Sequence, residues 1–109
     1  MKQLFLAMIG AVILAGCGGD KGGDFVGKWQ GLGDNADETI TVEATPEGYR
    51  AHSHASKAIV FQELEMYLEA ESDTLLVKPD SQKRVLVLEG DGTLTSFMRN
   101  GTIKLTRVN

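Results

Sequence analysis

Apolar and polar residues follow two different rhythms along the chain. Residues 4–16 (LFLAMIGAVILAG) are apolar without interruption, whereas from residue 25 onward the pattern has period two, broken by turn residues at roughly ten-residue intervals. Phe25, Gly27, Trp29 and Gly31 alternate with Val26, Lys28 and Gln30. In residues 39–45, Ile40 and Val42 lie out of phase with Thr39, Thr41 and Glu43, and Pro46-Glu47-Gly48 then supplies a hairpin turn. Residues 49–56 place Tyr49, Ala51, Ser53 and Ala55 on one face and Arg50, His52 and His54 on the other. Further strands are predicted at residues 75–78, 84–89, 93–98 and 102–108, with Gly90-Asp91-Gly92 and Asn100-Gly101 as turns. The predicted fold is all-β: a small antiparallel meander of about six to eight strands, closed as an up-and-down barrel or strongly curved.

Residues 57–72 (KAIVFQELEMYLEAES) carry both periods. Their Ala, Glu, Leu and Met content suits a helix, with Val60, Phe61, Leu64, Tyr67 and Leu68 on one face, and would make the fold α+β. Strict alternation of Leu64, Met66, Leu68 and Ala70 with Glu63, Glu65, Tyr67, Glu69 and Glu71 favours a strand. As a strand it sets four glutamates on its outer face. The expected role of such a face is solvation and protection against edge pairing, with a basic protein partner as the alternative.

The continuous apolar run changes the picture at the N-terminus. Lys2 followed by thirteen apolar residues matches a secretory signal, and as a helix it measures about 20 Å, short of the roughly 30 Å of a hydrocarbon core. Cleavage is therefore expected over a permanent span. The run ends at Leu14-Ala15-Gly16-Cys17, which resembles the lipobox of bacterial lipoproteins. That resemblance implies cleavage between Gly16 and Cys17, a diacylglycerol thioether on Cys17, N-acylation of the new terminus, and anchoring in the cell envelope. Cysteine suits the chemistry because its thiolate is the strongest side-chain nucleophile near neutrality, and multiple acyl chains hold a protein on a membrane where one does not. Within that family, aspartate directly after the cysteine retains enterobacterial lipoproteins in the inner membrane. Gly18 and Gly19 stand there instead, which favours the periplasmic face of the outer membrane. The sequence thus divides into a signal peptide (1–16), a lipidated cysteine with a glycine-rich tether (17–24) and one small β domain (25–109).

Charge and cysteine count narrow the function further. A net charge of −4 and a pI near 5.1 exclude the basic face that nucleic-acid binding requires. Loss of Lys2 with the signal leaves the remainder more acidic still, so lipid rather than surface charge is expected to hold it to a membrane. With one cysteine the domain has no disulfide and must fold on packing alone.

Gly27-Lys28-Trp29 on the first strand, with Arg107 on the last, resembles the G-x-W and arginine signature of the calycins, the lipocalins and their relatives. The resemblance implies a barrel in which Trp29 plugs one end and Arg107 stacks across it. Eight strands in this length leave only about ten residues for each strand and its turn, which predicts an interior filled by side chains.

Catalytic chemistry finds no constellation. His52 and His54 are the only bases near neutral pH; two apart on a strand they share a face, but two ligands make half a zinc site and no cysteine cluster or H-E-x-x-H completes it. Surface or packing roles are expected for both, with no catalytic residue and no cofactor beyond the covalent lipid. The expected function is a non-enzymatic binding or envelope-structural module; the alternatives are an inhibitor of a periplasmic or incoming hydrolase such as a lysozyme or protease and, last, a small-ligand carrier.

Overall fold

The computed structural model describes residues 21–99 and 101–108, so Gly16, Cys17 and the signal segment expected at residues 1–16 lie outside the described residues. Eight strands follow one another: β1 (Gly27–Gly31), β2 (Glu38–Thr45), β3 (Gly48–Ala55), β4 (Glu63–Ser72), β5 (Leu75–Val77), β6 (Arg84–Leu88), β7 (Leu94–Ser96) and β8 (Ile103–Val108). Each pairs antiparallel with the next, and β8 returns to β1, closing the meander into a barrel of lipocalin-like architecture. Closure gives every strand a partner on each side, although not along its whole length.

The period-two pattern becomes an inside and an outside. Ile40 and Val42 on β2, Ala51 and Ser53 on β3, and Leu105 on β8 point inward and are essentially without solvent contact. Trp29, Leu76, Leu86 and Leu94 complete that interior. Alternation fails where it should: consecutive residues Leu76 and Val77 are both buried, and the β5–β6 register shifts between them.

Residues 57–72 resolve into a loop and a strand. Residues 57–62 connect β3 to β4, and β4 runs from Glu63 with Tyr49 opposite Leu68, Ala51 opposite Met66 and Ser53 opposite Leu64. The helical alternative is corrected: pairing with β3 buries Leu68 and half-buries Leu64 and Met66, which a helix of this composition would have to bury elsewhere.

The N-terminal boundary also differs from expectation. Phe25 is not in the first strand but closes a 3₁₀ turn (Gly23–Phe25), entered through Gly22 at φ +89°. A Cβ on Gly22 would lie 3.0–3.2 Å from Tyr49, Ala70 and Leu76, and the Tyr49 hydroxyl donates to the Lys21 carbonyl at 2.6 Å. Residues 21–24, expected as free tether, are seated on the barrel because glycine lets the backbone approach this closely. They cover one end together with buried Phe25. The other, open end carries the longer connections: residues 32–37, 56–62, 78–83 and 97–102.

Candidate functional site

At the covered end, Trp29 and Arg107 are directly opposite one another on β1 and β8. The Arg107 guanidinium lies over the indole, 4.2 Å from the ring centroid. Its Nη1 donates to the Val26 carbonyl at 2.9 Å and its Nη2 to the Asp24 carbonyl. Trp29 Nε1 donates to the Phe25 carbonyl at 3.0 Å, so the fully buried indole has its one polar atom satisfied. Gly27 takes φ +137°, and a Cβ there would meet Arg107 Nη1 at 2.7 Å. The arrangement is a structural plug: it ties the first strand, the last strand and the entering chain together.

The open end is built differently. Glu38 is in phase with Ile40 and Val42 and therefore points inward, with 3% of its surface exposed. It accepts from Ser53 Oγ at 2.6 Å, and Arg99 Nε reaches both Ser53 Oγ (3.1 Å) and the Glu38 carboxylate (3.3 Å). The rest of the guanidinium faces the β3–β4 loop. Nη1 donates to the Phe61 carbonyl at 2.6 Å, and Nη2 to the carbonyls of Gln62 (3.2 Å) and Ser53 (3.4 Å). Arg99 is thus a buried-charge clamp that fixes loop 56–62 to the barrel rim. Leaving either charge unpaired at such a site costs about 3 kcal/mol or more.

Further bonds hold the loop at both roots: Ala55 N–H donates to Gln62 O (2.8 Å), Gln62 Nε2 to Ser56 O (3.2 Å), and Lys57 N–H to the Asp37 carboxylate (2.9 Å). Phe61 adopts φ +56°, a left-handed conformation that costs a non-glycine residue on the order of 1–3 kcal/mol. The clamped loop presents Ile59, Val60 and Phe61 to solvent at 98%, 64% and 72% exposure. Three consecutive large apolar side chains on a fastened loop are the feature of this surface that folding does not explain.

Beside the loop, a half-open cleft of about 470 Å³ breaches the barrel wall. Its cause is the shortness of β5, which reaches only as far as Glu69 of β4; above that point β4 pairs solely with β3 among the described residues. Met66, Val85, Phe97 and Met98 line it. Lys78, Lys83 and Arg84 stand around it alongside the clamped Arg99. Arg84 lies over the Phe97 ring at 5.3 Å, and none of these three cations has a carboxylate partner among the described residues.

On the outer wall, His52 and His54 do share a face. Both converge on Glu63 across the β3–β4 ladder: His52 Nε2 lies 2.8 Å from Oε1, and His54 Nδ1 bonds Oε2. The His54 hydrogen bond chiefly, with the charge of both imidazoles, holds the Glu63 carboxyl below the usual carboxylate range. Both carboxylate oxygens are engaged by the rings, and among the described residues no group of three His, Cys, Asp or Glu is arranged to hold a metal ion.

Sequence reasoning placed Gly27, Trp29, Arg107, His52 and His54 but missed the open end. Glu38 was legible, since its phase with Ile40 and Val42 predicts an inward carboxylate that needs a partner. Arg99 was not, because nothing local ties residue 99 to residues 38, 53 and 61. No family model, curated protein or solved structure matches the chain.

Proposed function

We propose that this chain is a non-enzymatic binding module of the bacterial cell envelope, anchored by lipid on Cys17 and engaging a protein partner through its open end. The carrying observation is the loop of Ile59, Val60 and Phe61, exposed yet fastened by Arg99. A loop held in one conformation before binding loses little entropy on contact, and apolar and aromatic anchors supply most of an interface's energy. Position supports the same reading: the chain enters from residue 21 at the covered end, so an anchor at Cys17 leaves the open end facing away from the bilayer. A second reading is favoured by Glu63, Glu65 and Glu71, exposed along the strand that leaves this loop. They suit a basic partner, and an inhibitor of a basic hydrolase such as a lysozyme would present this combination of apolar tip and acidic flank.

The test places a photoreactive phenylalanine analogue at Phe61 or, as control, at Val26 on the covered end. Irradiated cells should yield one discrete protein adduct from position 61 and none from position 26, and Val60→Asp should abolish it without changing the melting temperature. Equal adducts from both positions, or none from position 61, reject the reading. Salt-sensitive capture of a basic hydrolase at position 61 selects the inhibitor.

A further inference from the structure

From the upper half of β4, an observation independent of the exposed loop, we infer a strand-addition site: an extended segment of a partner protein, acidic at its N-terminal end, pairs antiparallel with β4 as a further strand. Glu63 to Leu68 pair with β3 on one side and with no strand on the other among the described residues, because β5 reaches only to Glu69. At about 3.3 Å per residue that edge is about 20 Å long. A single bond fixes which amides face the gap. Ala55 N–H donates to Gln62 O, so in the antiparallel ladder the amides of Leu64, Met66 and Leu68 also turn to β3, and those of Glu63, Glu65 and Tyr67 turn away from it. Neither β5 nor any loop bonds the amides of Glu63, Glu65 and Tyr67 among the described residues. A row of unpaired N–H and C=O groups is a template for an incoming strand, whose main-chain hydrogen bonds then supply affinity.

Charge decides the occupant. Along this edge the surface runs from acidic to basic: Glu63 and Glu65 are exposed at the start of β4, and Lys78, Lys83 and Arg84 line the gap at its other end, where the β5–β6 hairpin stops. None of these cations has a carboxylate partner among the described residues, and the Glu69 carboxylate at that end accepts from Gln82 Nε2 at 2.7 Å. Arg99 lines the same gap but keeps its donors on Glu38, Ser53 and the loop. A second copy of this chain does not fit. Two β4 edges paired antiparallel about Glu65 would set Glu65 against Glu65, and like charges directly opposite one another are destabilising. A strand entering antiparallel starts beside Lys78, Lys83 and Arg84 and ends near Glu63, so acidic residues at its start and basic residues opposite Glu65 complement what the edge presents.

The probe is a fluorescent peptide of about seven residues, the length of the edge, with two glutamates followed by alternating threonine and lysine. Its anisotropy is followed with the full chain in zwitterionic lipid nanodiscs, empty discs subtracted. The peptide should bind saturably, and replacing its glutamates by glutamines should weaken binding about tenfold or more. With lysine opposite Glu65, the lysine amides face β4 and the threonine amides face away; N-methylation of the lysines should abolish binding and N-methylation of the threonines should leave it unchanged. Lys83→Glu should weaken binding without changing the melting temperature, and a peptide copying residues 63–69 of this chain should bind about tenfold more weakly than the probe or worse. Absence of binding, equal binding by the glutamine peptide, equal effects of the two N-methylations, or binding unaffected by Lys83→Glu each overturns the inference, and equal binding by the copied segment overturns it in favour of a second copy. Val60→Asp should leave the affinity for the probe unchanged, so failure here and failure of the loop reading are separately visible.

Discussion

At the scale of single residues, two arginines hold the barrel together in opposite ways. Arg107 is largely exposed and spreads its guanidinium over a buried indole, so its value lies in stacking and in capping carbonyls of the entering chain. Arg99 is mostly withdrawn from water and is compensated by a buried carboxylate. Their substitution should therefore differ in kind. Trp29→Ala should cost roughly 3–5 kcal/mol, most of the stability of a small domain without disulfides, and Arg107→Ala about 1–2 kcal/mol. In a double-mutant cycle of the milder Trp29→Phe with Arg107→Ala, followed by denaturant midpoints on a soluble fragment from residue 20, direct contact should appear as a coupling above about 0.5 kcal/mol. A smaller coupling would separate the guanidinium from the indole energetically. Gly27 belongs to the same unit, since a side chain there would be strained by its positive φ and would displace the Arg107 guanidinium atom 2.7 Å from its would-be Cβ.

At the scale of elements, β4 is the informative strand because its two faces and two halves do different things. Its lower half, from Glu69, is laddered to β5, whereas its upper half, Glu63 to Leu68, pairs with β3 alone and so opens the wall at the cleft. Its outer face begins with Glu63, which receives both histidines of β3. The folded carboxyl pKa is depressed, so any stability it contributes is present above the ordinary carboxylate pKa of about 4.3 and is lost as pH falls through the lower folded value. Melting curves between pH 3 and pH 7 should show wild type above Glu63→Gln at the upper end and the two converging at the acidic end; convergence in the reverse direction would contradict the pairing. The effect should be small, since all three side chains are about half exposed. Added zinc should shift the melting temperature of neither the wild type nor the combined His52→Gln and His54→Gln variant, because a metal raises stability only where it binds the native state.

At the scale of the whole molecule, the meander sets the proposed attachment and the proposed recognition surface at opposite ends. Chain entry, Phe25, Trp29 and Arg107 occupy one end; the clamped loop and the cleft occupy the other. Closure is what makes this possible, since β1 and β8 meet only when the sheet curls fully round. The proposed anchor has its own test: Cys17→Ser cannot form the thioether, so metabolic labelling with a clickable palmitate should mark wild type and leave the variant unlabelled and unprocessed. Label retained on the variant would remove the lipid anchor and with it the orientation argued for the open end.

The sequence alone determined what depends on near neighbours. Period-two alternation gave the all-β class and the inward residues, because a strand's faces follow from backbone geometry residue by residue. Pro46-Glu47-Gly48 and Gly90-Asp91-Gly92 marked hairpins for equally local reasons. The Trp29 and Arg107 signature was readable because its two halves sit at the chain's two strand termini, where a closed meander must bring them together. Tertiary structure decided everything that joins distant positions. It chose strand over helix for residues 63–72, since β3 supplied a ladder that composition could not weigh against helical propensity. It seated residues 21–24 on the barrel through Gly22 and Tyr49. It also brought Arg99 to Glu38, Ser53 and Phe61, and set three cations around a gap created by one short strand. A charge carries no periodicity that announces its partner, so electrostatic sites of this kind exist only once the strands are in register.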